Sequence, residues 1–544
     1  MAAPSSAVSS RKFVSLYTVD PTYPKTRNTK MDLDAEEAAF QDLADSIEQE
    51  WQSPRQAHLK RPYSAKTIAA LRNTIPISYP SSLQGDKLWH LLNEHLKNGT
   101  HEKTFGTTEP TVVSQMVKHQ QTVYVSGALC GLSEVQHPGC DHADYPWDTV
   151  PKVVEKIFKA QLWHDQRQKQ FRLHHTKAER EKLEAYDFMA PIIADGDMGF
   201  GGLTSTVKMA KLFVEAGVAM IHLDDLAIGL KKFTIGEGRT VVPTSEYLAR
   251  LTAVRMQFDV MGVNTLLMCR CDTDRSQFIT STIDPRDHEY ILGATHDVKP
   301  LVEAVSSGMA EGKTYMQARD EWKASAGLMT FDEAVKARCN EQKYQQYLAK
   351  ASVYGTSLKD RRRFAKEAVV EDVVFDWELP RSKEGQYMWK PSVKTIVERA
   401  VAAAPLGDMT WARMDAPVWK DILEFHTEVR RIFPDRLFAF GFTGMYDYTK
   451  AGFTDEQILS FSDEMAKLGI VWQVQPIWAV GGLNMTAEKF AKEWQQDGIA
   501  GYIEKISKPS RVPPIVDGFH KPSYAGSYLA DAFFAAVAGQ EITP

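Results

Sequence analysis

The chain has 544 residues, 43% of them apolar and 25% charged, which are the proportions of a globular protein and exclude disordered, collagenous and disulfide-scaffold classes. Lys+Arg 64 against Asp+Glu 70 leaves a net charge of −6, so no basic excess exists to neutralise the phosphates of a nucleic acid or an anionic membrane. No run approaches the roughly 18 apolar residues of a membrane span, and five cysteines, the closest pair being Cys269 and Cys271, form no zinc or disulfide pattern.

In chain order, residues 1–30 carry Arg11, Lys12, Lys25, Arg27 and Lys30 against the single acid Asp20. That composition fits a mitochondrial transit peptide or a plain disordered tail, and so a location in the mitochondrial matrix or the cytoplasm. Residues 31–120 read as a helical region, with helices over acid-rich Asp32–Trp51 and over Gly85–Lys97. From residue 121, short apolar runs alternate with amphipathic segments. The runs are Val123–Gly127, Pro191–Asp197, Met220–Asp225, Thr265–Asp272, Met409–Arg413, Leu437–Thr443, Ile470–Pro476 and Ile499–Ile506. Eight buried-strand candidates separated by helices predict an α/β fold, a (β/α)8 TIM barrel. Its first part spans 121–284 and its second 391–510. Between them, after the fourth strand candidate, residues 285–390 form a charged helical insertion with helices over Asp332–Lys350 and Lys359–Val370. Residues 511–544 form a C-terminal helical segment, in which Tyr528–Val537 is apolar enough to need a neighbouring subunit.

The connecting helices carry their own signals. Met209, Leu212, Phe213 and Ala216 make one apolar stripe. Thr454 and Gln457 form a capping box, and Thr244 and Thr486 are expected N-caps.

Polar residues collect at strand ends. Asp195 and Asp197 close one run, His222, Asp224 and Asp225 the next, and Arg270 and Asp272 the one after. In a barrel these ends meet at one mouth. Hard oxygen donors without a cysteine or histidine cluster suit Mg²⁺, and Arg270 can grip a substrate carboxylate through its fork. Any single acid there could instead be strand-end solvation or an inter-strand ion pair. Gly199, Gly201 and Gly202 read as a tight turn before a helix starting near Thr204; with no following Lys-Ser/Thr they make no phosphate loop.

Longer motifs add a resemblance. Lys60-Arg-Pro-Tyr-Ser, Tyr79-Pro-Ser-Ser, Thr104-Phe-Gly, Tyr124-Val-Ser-Gly127, Ala143-Asp-Tyr-Pro146, Ile193-Ala-Asp-Gly-Asp197, Phe200-Gly-Gly202, Thr280-Ser-Thr-Ile-Asp-Pro-Arg-Asp-His288 and Ile291-Leu-Gly-Ala-Thr295 resemble the isocitrate lyase family in its long eukaryotic form, from about residue 38 to 505. The resemblance implies a (β/α)8 barrel, a homotetramer with swapped C-terminal helices, and Mg²⁺-dependent cleavage of a C–C bond in a hydroxy-tricarboxylate. Asp141, Asp195, Asp197 and Asp224 match the acids around the Mg²⁺, the last two standing where relatives carry glutamate. Ser126 and Gly127 match the start of the Ser-Gly-Trp that grips the glyoxylate carboxylate, and His222 and Arg270 also match.

The opposite end departs from the family. The catalytic Lys-Lys-Cys-Gly-His loop reads Lys231-Lys232-Phe233-Thr234-Ile235, so Phe233 replaces the cysteine acid. Ala128 replaces the tryptophan after Ser-Gly. The Asn-x-Ser-x-Ser succinate clamp reads Gly441-Phe442-Thr443-Gly444-Met445, the Trp-x-Glu reads Trp411-Ala412-Arg413, and Pro476 replaces a threonine. The expected enzyme therefore holds a 2-oxo or 2-hydroxy acid through Ser126, Gly127 and Arg270. Arg413 and Thr443 would line its far subsite. The catalytic candidates are His222, Lys231 and Thr234, with Tyr446 a further candidate proton carrier. Missing carboxylate donors and a missing general acid weigh against cleavage of isocitrate or 2-methylisocitrate. Two other readings stay open: an inactive paralogue with a structural or regulatory role, and an authentic isocitrate or 2-methylisocitrate lyase.

Overall fold

Eight parallel strands close a barrel: β1 (Glu102–Phe105), β2 (Val123–Val125), β3 (Ile192–Asp195), β4 (Met220–Leu223), β5 (Leu266–Cys271), β6 (Met409–Ala412), β7 (Leu437–Gly441) and β8 (Ile470–Gln475). Neighbours run β1-β8-β7-β6-β5-β4-β3-β2, and a parallel bridge between Gly106 and Tyr124 joins the two ends. The computed structural model describes residues 17–19, 29–139, 141–229, 239–369, 372–414, 417–442, 447–509 and 527–540. The architecture is the expected (β/α)8 TIM barrel. Among the described residues, no helix is long and apolar enough to cross a membrane.

The two-residue period of a strand sorts the side chains. Ile193, Met220, Leu266, Met268, Met409, Leu437 and Trp472 point into the barrel. The helix Pro80–Asn98 plugs its floor with Leu88 and Leu92. The intervening residues, among them Ile192, Ala194, Ile221, Leu223, Leu267, Cys269 and Phe438, meet the outer helices, where Met209 and Phe213 of Leu203–Glu215 and Val254 and Phe258 of Thr244–Met261 bury their apolar stripes. The same alternation, carried two residues further, turns Asp195, His222, Arg270 and Trp411 inward at the opposite end.

Seven of the eight expected strands form. The exception, Ile499–Ile506, is helical, lying across Asn484–Tyr502 and its continuation Ile503–Ser507. Its apolar residues 499, 502, 503 and 506 recur at helical spacing, so the period and not the apolar content governs. The true first strand is β1, whose buried positions are polar. Buried Glu102 accepts hydrogen bonds from the Gln121 and Thr122 amides and the Thr122 hydroxyl, at 2.7, 2.9 and 3.1 Å. A search for apolar runs passes over such a strand. The insertion accordingly follows the fifth strand, not the fourth.

Local expectations fare unevenly. Asp32 caps the helix Leu33–Trp51, and the Thr454 capping box forms. Asp332–Lys350 is two helices, Phe331–Lys336 and Glu341–Ala351, because Asn340 caps the second. Thr244 is not a cap: it is the first helical residue after Pro243, and its hydroxyl donates to Asp287. Thr486 sits inside its helix and donates to the Gly482 carbonyl.

Candidate active site at the barrel mouth

Adjacent strand ends bring Asp195, Asp197, His222, Asp224, Arg270, Asp272, Trp411 and Arg413 to one buried mouth. The turn after β3 is tightly wound. Asp197 adopts φ 44°, a left-handed conformation unusual for a residue with a β-carbon. It is held there from both sides: the Asp197 amide donates to Asp195 Oδ1 at 2.9 Å, and the Asp197 carbonyl accepts from the Asp224 amide at 2.7 Å. The acids of two strands are thus locked into one unit. Across the mouth, the Gly127 amide donates to Asp195 Oδ2 at 3.3 Å. Ser126, also buried, ends the extended backbone after β2.

Arg270 is oriented before any ligand arrives. Its Nε and Nη2 donate to the two Asp272 oxygens at 2.7 and 2.8 Å, and its guanidinium lies 4.7 Å from the Trp411 ring centroid. The fork expected to receive a substrate carboxylate is therefore engaged by Asp272. Nη1 is the atom left facing Asp195, at 3.8 Å. Arg413 reaches the same Asp272 at 3.3 Å, so the two guanidiniums share one carboxylate. Burial works against the Asp272 charge, but Arg270 and Arg413 overcome it and hold the carboxyl well below its usual range.

Asp197 and Asp224 shift the other way. Burial pushes the Asp197 carboxyl up to about 7, with Asp272 adding to the rise and Arg270 opposing it. Asp224 is raised well above its usual range as well, by burial and then by Asp272, against Arg270. Among the described residues, four buried carboxylates, Asp195, Asp197, Asp224 and Asp272, lie beside Arg270 and Arg413. Hard oxygen donors in that number fit a divalent cation. Among the described residues no three acidic, histidine or cysteine side chains converge at direct-ligand spacing. Mg²⁺ keeps several of its waters and needs only one or two carboxylates, and the donor set fits that mode.

His222 lies beneath the acids, fully buried. Its Nε2 is 2.9 Å from the Tyr124 hydroxyl and its Nδ1 is 3.5 Å from Asp195 Oδ1. Burial lowers its pKa to about 4, Asp195 opposing, so it is neutral at pH 7. Asp225 is turned out of the mouth and pairs with Arg399 at 3.1 Å, the ion-pair alternative realised for one of the strand-end acids. Asp141 is half-buried on the segment leading to Tyr145, its Oδ1 accepting from the Ala143 amide. Lys231, Thr234 and Thr443, with Phe233, Met445 and Tyr446, lie outside the described residues. Tyr145, Tyr124 and Trp411 face the mouth without having been singled out as site residues. Aromatic residues in a barrel read as core by composition, and only their position marks them.

Fold and site define a (β/α)8-barrel protein with an acidic, arginine-bearing mouth built from successive strand ends. The profile of the isocitrate lyase family matches residues 43–542. The chain is 52% identical over 514 residues to a mitochondrial 2-methylisocitrate lyase of Schizosaccharomyces pombe, covering 94% of this chain and 99% of that one. It is 36% identical over 522 residues to an isocitrate lyase of Oryza sativa subsp. japonica, covering 93% and 91%. It is 35% identical over 489 residues to a mitochondrial 2-methylisocitrate lyase of Hypocrea atroviridis, covering 87% of each. The chain belongs to the isocitrate lyase family, a family of carbon–carbon lyases.

Proposed function

We propose that the chain is a Mg²⁺-dependent lyase that cleaves 2-methylisocitrate into succinate and pyruvate. One observation carries this reading: Asp195, Asp197 and Asp224 meet beside Arg270 at the mouth of a chain 52% identical, over 94% of its length, to a relative named for that activity. Ala128, buried next to Gly127, supports it. A small side chain where the family places tryptophan leaves room for a methyl on the carbinol carbon, and that methyl makes the released oxo acid pyruvate rather than glyoxylate.

Asp195, Asp197 and Asp224, with Asp141, would hold the ion. Bound there, Mg²⁺ supplies Lewis-acid stabilisation of an oxygen that gains negative charge. The chain's own groups do the rest. Ser126 and Arg270 Nη1 hold the carboxylate of the oxo-acid half, and Asp272 fixes the Arg270 plane. His222 is a positioning residue that sets Asp195 against Tyr124. Arg413 offers positive charge toward the far half, with Thr443. Lys231 and Thr234 are the proposed proton carriers to the succinate half, where Phe233 cannot serve. We place the protein in the mitochondrial matrix or the cytoplasm, as a homotetramer. Exposed Ile499, Tyr502, Ile503 and Ile506, and Phe533, Phe534 and Val537 of the helix Ser527–Val537, offer the apolar surface for assembly.

A second reading has its own support. Gly441, at the position of the clamp asparagine, leaves no space for a side chain beside Trp411. A far subsite so changed favours a 2-hydroxy acid with a different distal group, or an inactive paralogue. Incubation with Mg²⁺ and either 2-methylisocitrate or isocitrate, followed by proton NMR, separates the readings. The first expects the pyruvate methyl signal from 2-methylisocitrate, abolished by EDTA. Binding of Mg²⁺ and pyruvate without product from either substrate would replace it with the second.

A further inference from the structure

Tyr145 is 7% exposed, and its hydroxyl has no hydrogen-bond partner among the described residues. A buried hydroxyl left unsatisfied is costly, and phenylalanine would pack as well without it. The ring is nonetheless placed with care. Phe200 meets it edge-on, centroids 5.3 Å apart. Two glycines on one face of the helix Gly127–Ser133 make its slot: a β-carbon on Gly131 would lie 3.0 Å from Tyr145 Cδ1, and one on Gly127 would lie 2.0 Å from Tyr145 Oη. That same point beside Gly127 is 2.9 Å from Asp197 Oδ2 and 3.1 Å from Asp195 Cγ. The phenol is thus threaded past two bare backbone positions to end at the acid cluster, with its hydroxyl empty-handed.

We propose that Tyr145 is a substrate-binding residue whose hydroxyl donates a hydrogen bond to a carboxylate oxygen of the bound 2-oxo or 2-hydroxy acid, at the gap between Gly127 and Asp197. This rests on the mouth being the acid-binding site. It supplies the donor that the engaged Arg270 fork and the Gly127 amide, already given to Asp195, do not. It also gives a chemical reason for Gly127, since any side chain there would meet the hydroxyl.

Tyr145→Phe removes the hydroxyl and keeps the ring. Calorimetric titration of the full chain with pyruvate at saturating Mg²⁺ should show affinity at least about tenfold weaker than wild type, the scale of a lost hydrogen bond to a charged group. Mg²⁺ affinity should stay within about threefold, and Tm should be unchanged or higher because no partner is stranded. Unchanged pyruvate affinity overturns the inference. So does a Tm lower by several degrees, which would assign the hydroxyl a structural role. Wild type that binds pyruvate but yields none from 2-methylisocitrate refutes the proposed activity and leaves Tyr145 standing; wild type that binds no 2-oxo acid removes both.

Discussion

Gly441→Ala measures how closely packing controls the altered end of the mouth. Gly441 ends β7, and a β-carbon there falls 2.3 Å from Trp411 Cζ2 and 3.1 Å from Cε2, far inside contact distance. The ring has little room to retreat. It is 1% exposed, with Arg270 4.7 Å from its centroid, His222 5.0 Å away and Trp472 6.3 Å away. Overpacking of this kind costs about 1–3 kcal/mol. The strand backbone suits alanine, so the loss of unfolded-state entropy returns roughly 0.4–1 kcal/mol. The net expectation is a loss of up to about 2.6 kcal/mol, centred on about 1.3 kcal/mol, read as a lower urea midpoint with an unchanged slope. Pyruvate binding should weaken as well, because a displaced Trp411 tilts Arg270. A midpoint at or above wild type would refute the reasoning, by showing that the ring moves freely. The same contact means that Gly441→Asn builds no succinate clamp unless Trp411 is changed with it.

Other expectations follow from the same geometry. Asp195→Ala should abolish Mg²⁺ binding in calorimetric titration, since Asp195 anchors both the Asp197 turn and Gly127; retained affinity would move the metal elsewhere. Asp408→Ala should destabilise the fold by about 3–5 kcal/mol, because the buried carboxylate accepts from Arg55, Arg255 and the Leu267 amide at 2.7, 2.5 and 2.8 Å and its loss strands two guanidiniums. A shift under about 1 kcal/mol in denaturant unfolding would contradict that. Burial lowers the pKa of His426 to about 4, with Arg430 acting in the same direction and the Ile422 carbonyl opposing. The unfolded chain, titrating near about 6.5, takes up this proton first. The contribution is therefore complete above about 6.5 and declines as pH falls toward 4, and His426→Phe should lose less stability than wild type between pH 7 and 4.5. Light scattering should show a tetramer at micromolar concentration, and a monomer would exclude the assembly.

Much of the barrel was legible because strand and helix periods are local. Seven strands, the stripe of Met209 and Phe213, and the Thr454 cap need only near neighbours to be read. Alternation also carried the acids: once β3, β4 and β5 are in place, Asp195, Asp224 and Arg270 must share the mouth. What needed the tertiary structure is what depends on residues far apart in the chain. Glu102 can be buried in β1 only because the Gln121 and Thr122 amides arrive to bond it, and the barrel closes through that strand. Asp272, not a ligand, holds the Arg270 fork, and Gly441 is bare because Trp411 crosses from the next strand. Tyr145 reaches the acids past Gly127, a meeting that no spacing announces. Sequence determines which side chains a strand presents, whereas which of them satisfy one another is decided by closure, since a buried charge or hydroxyl takes its partner from whatever the fold brings within reach.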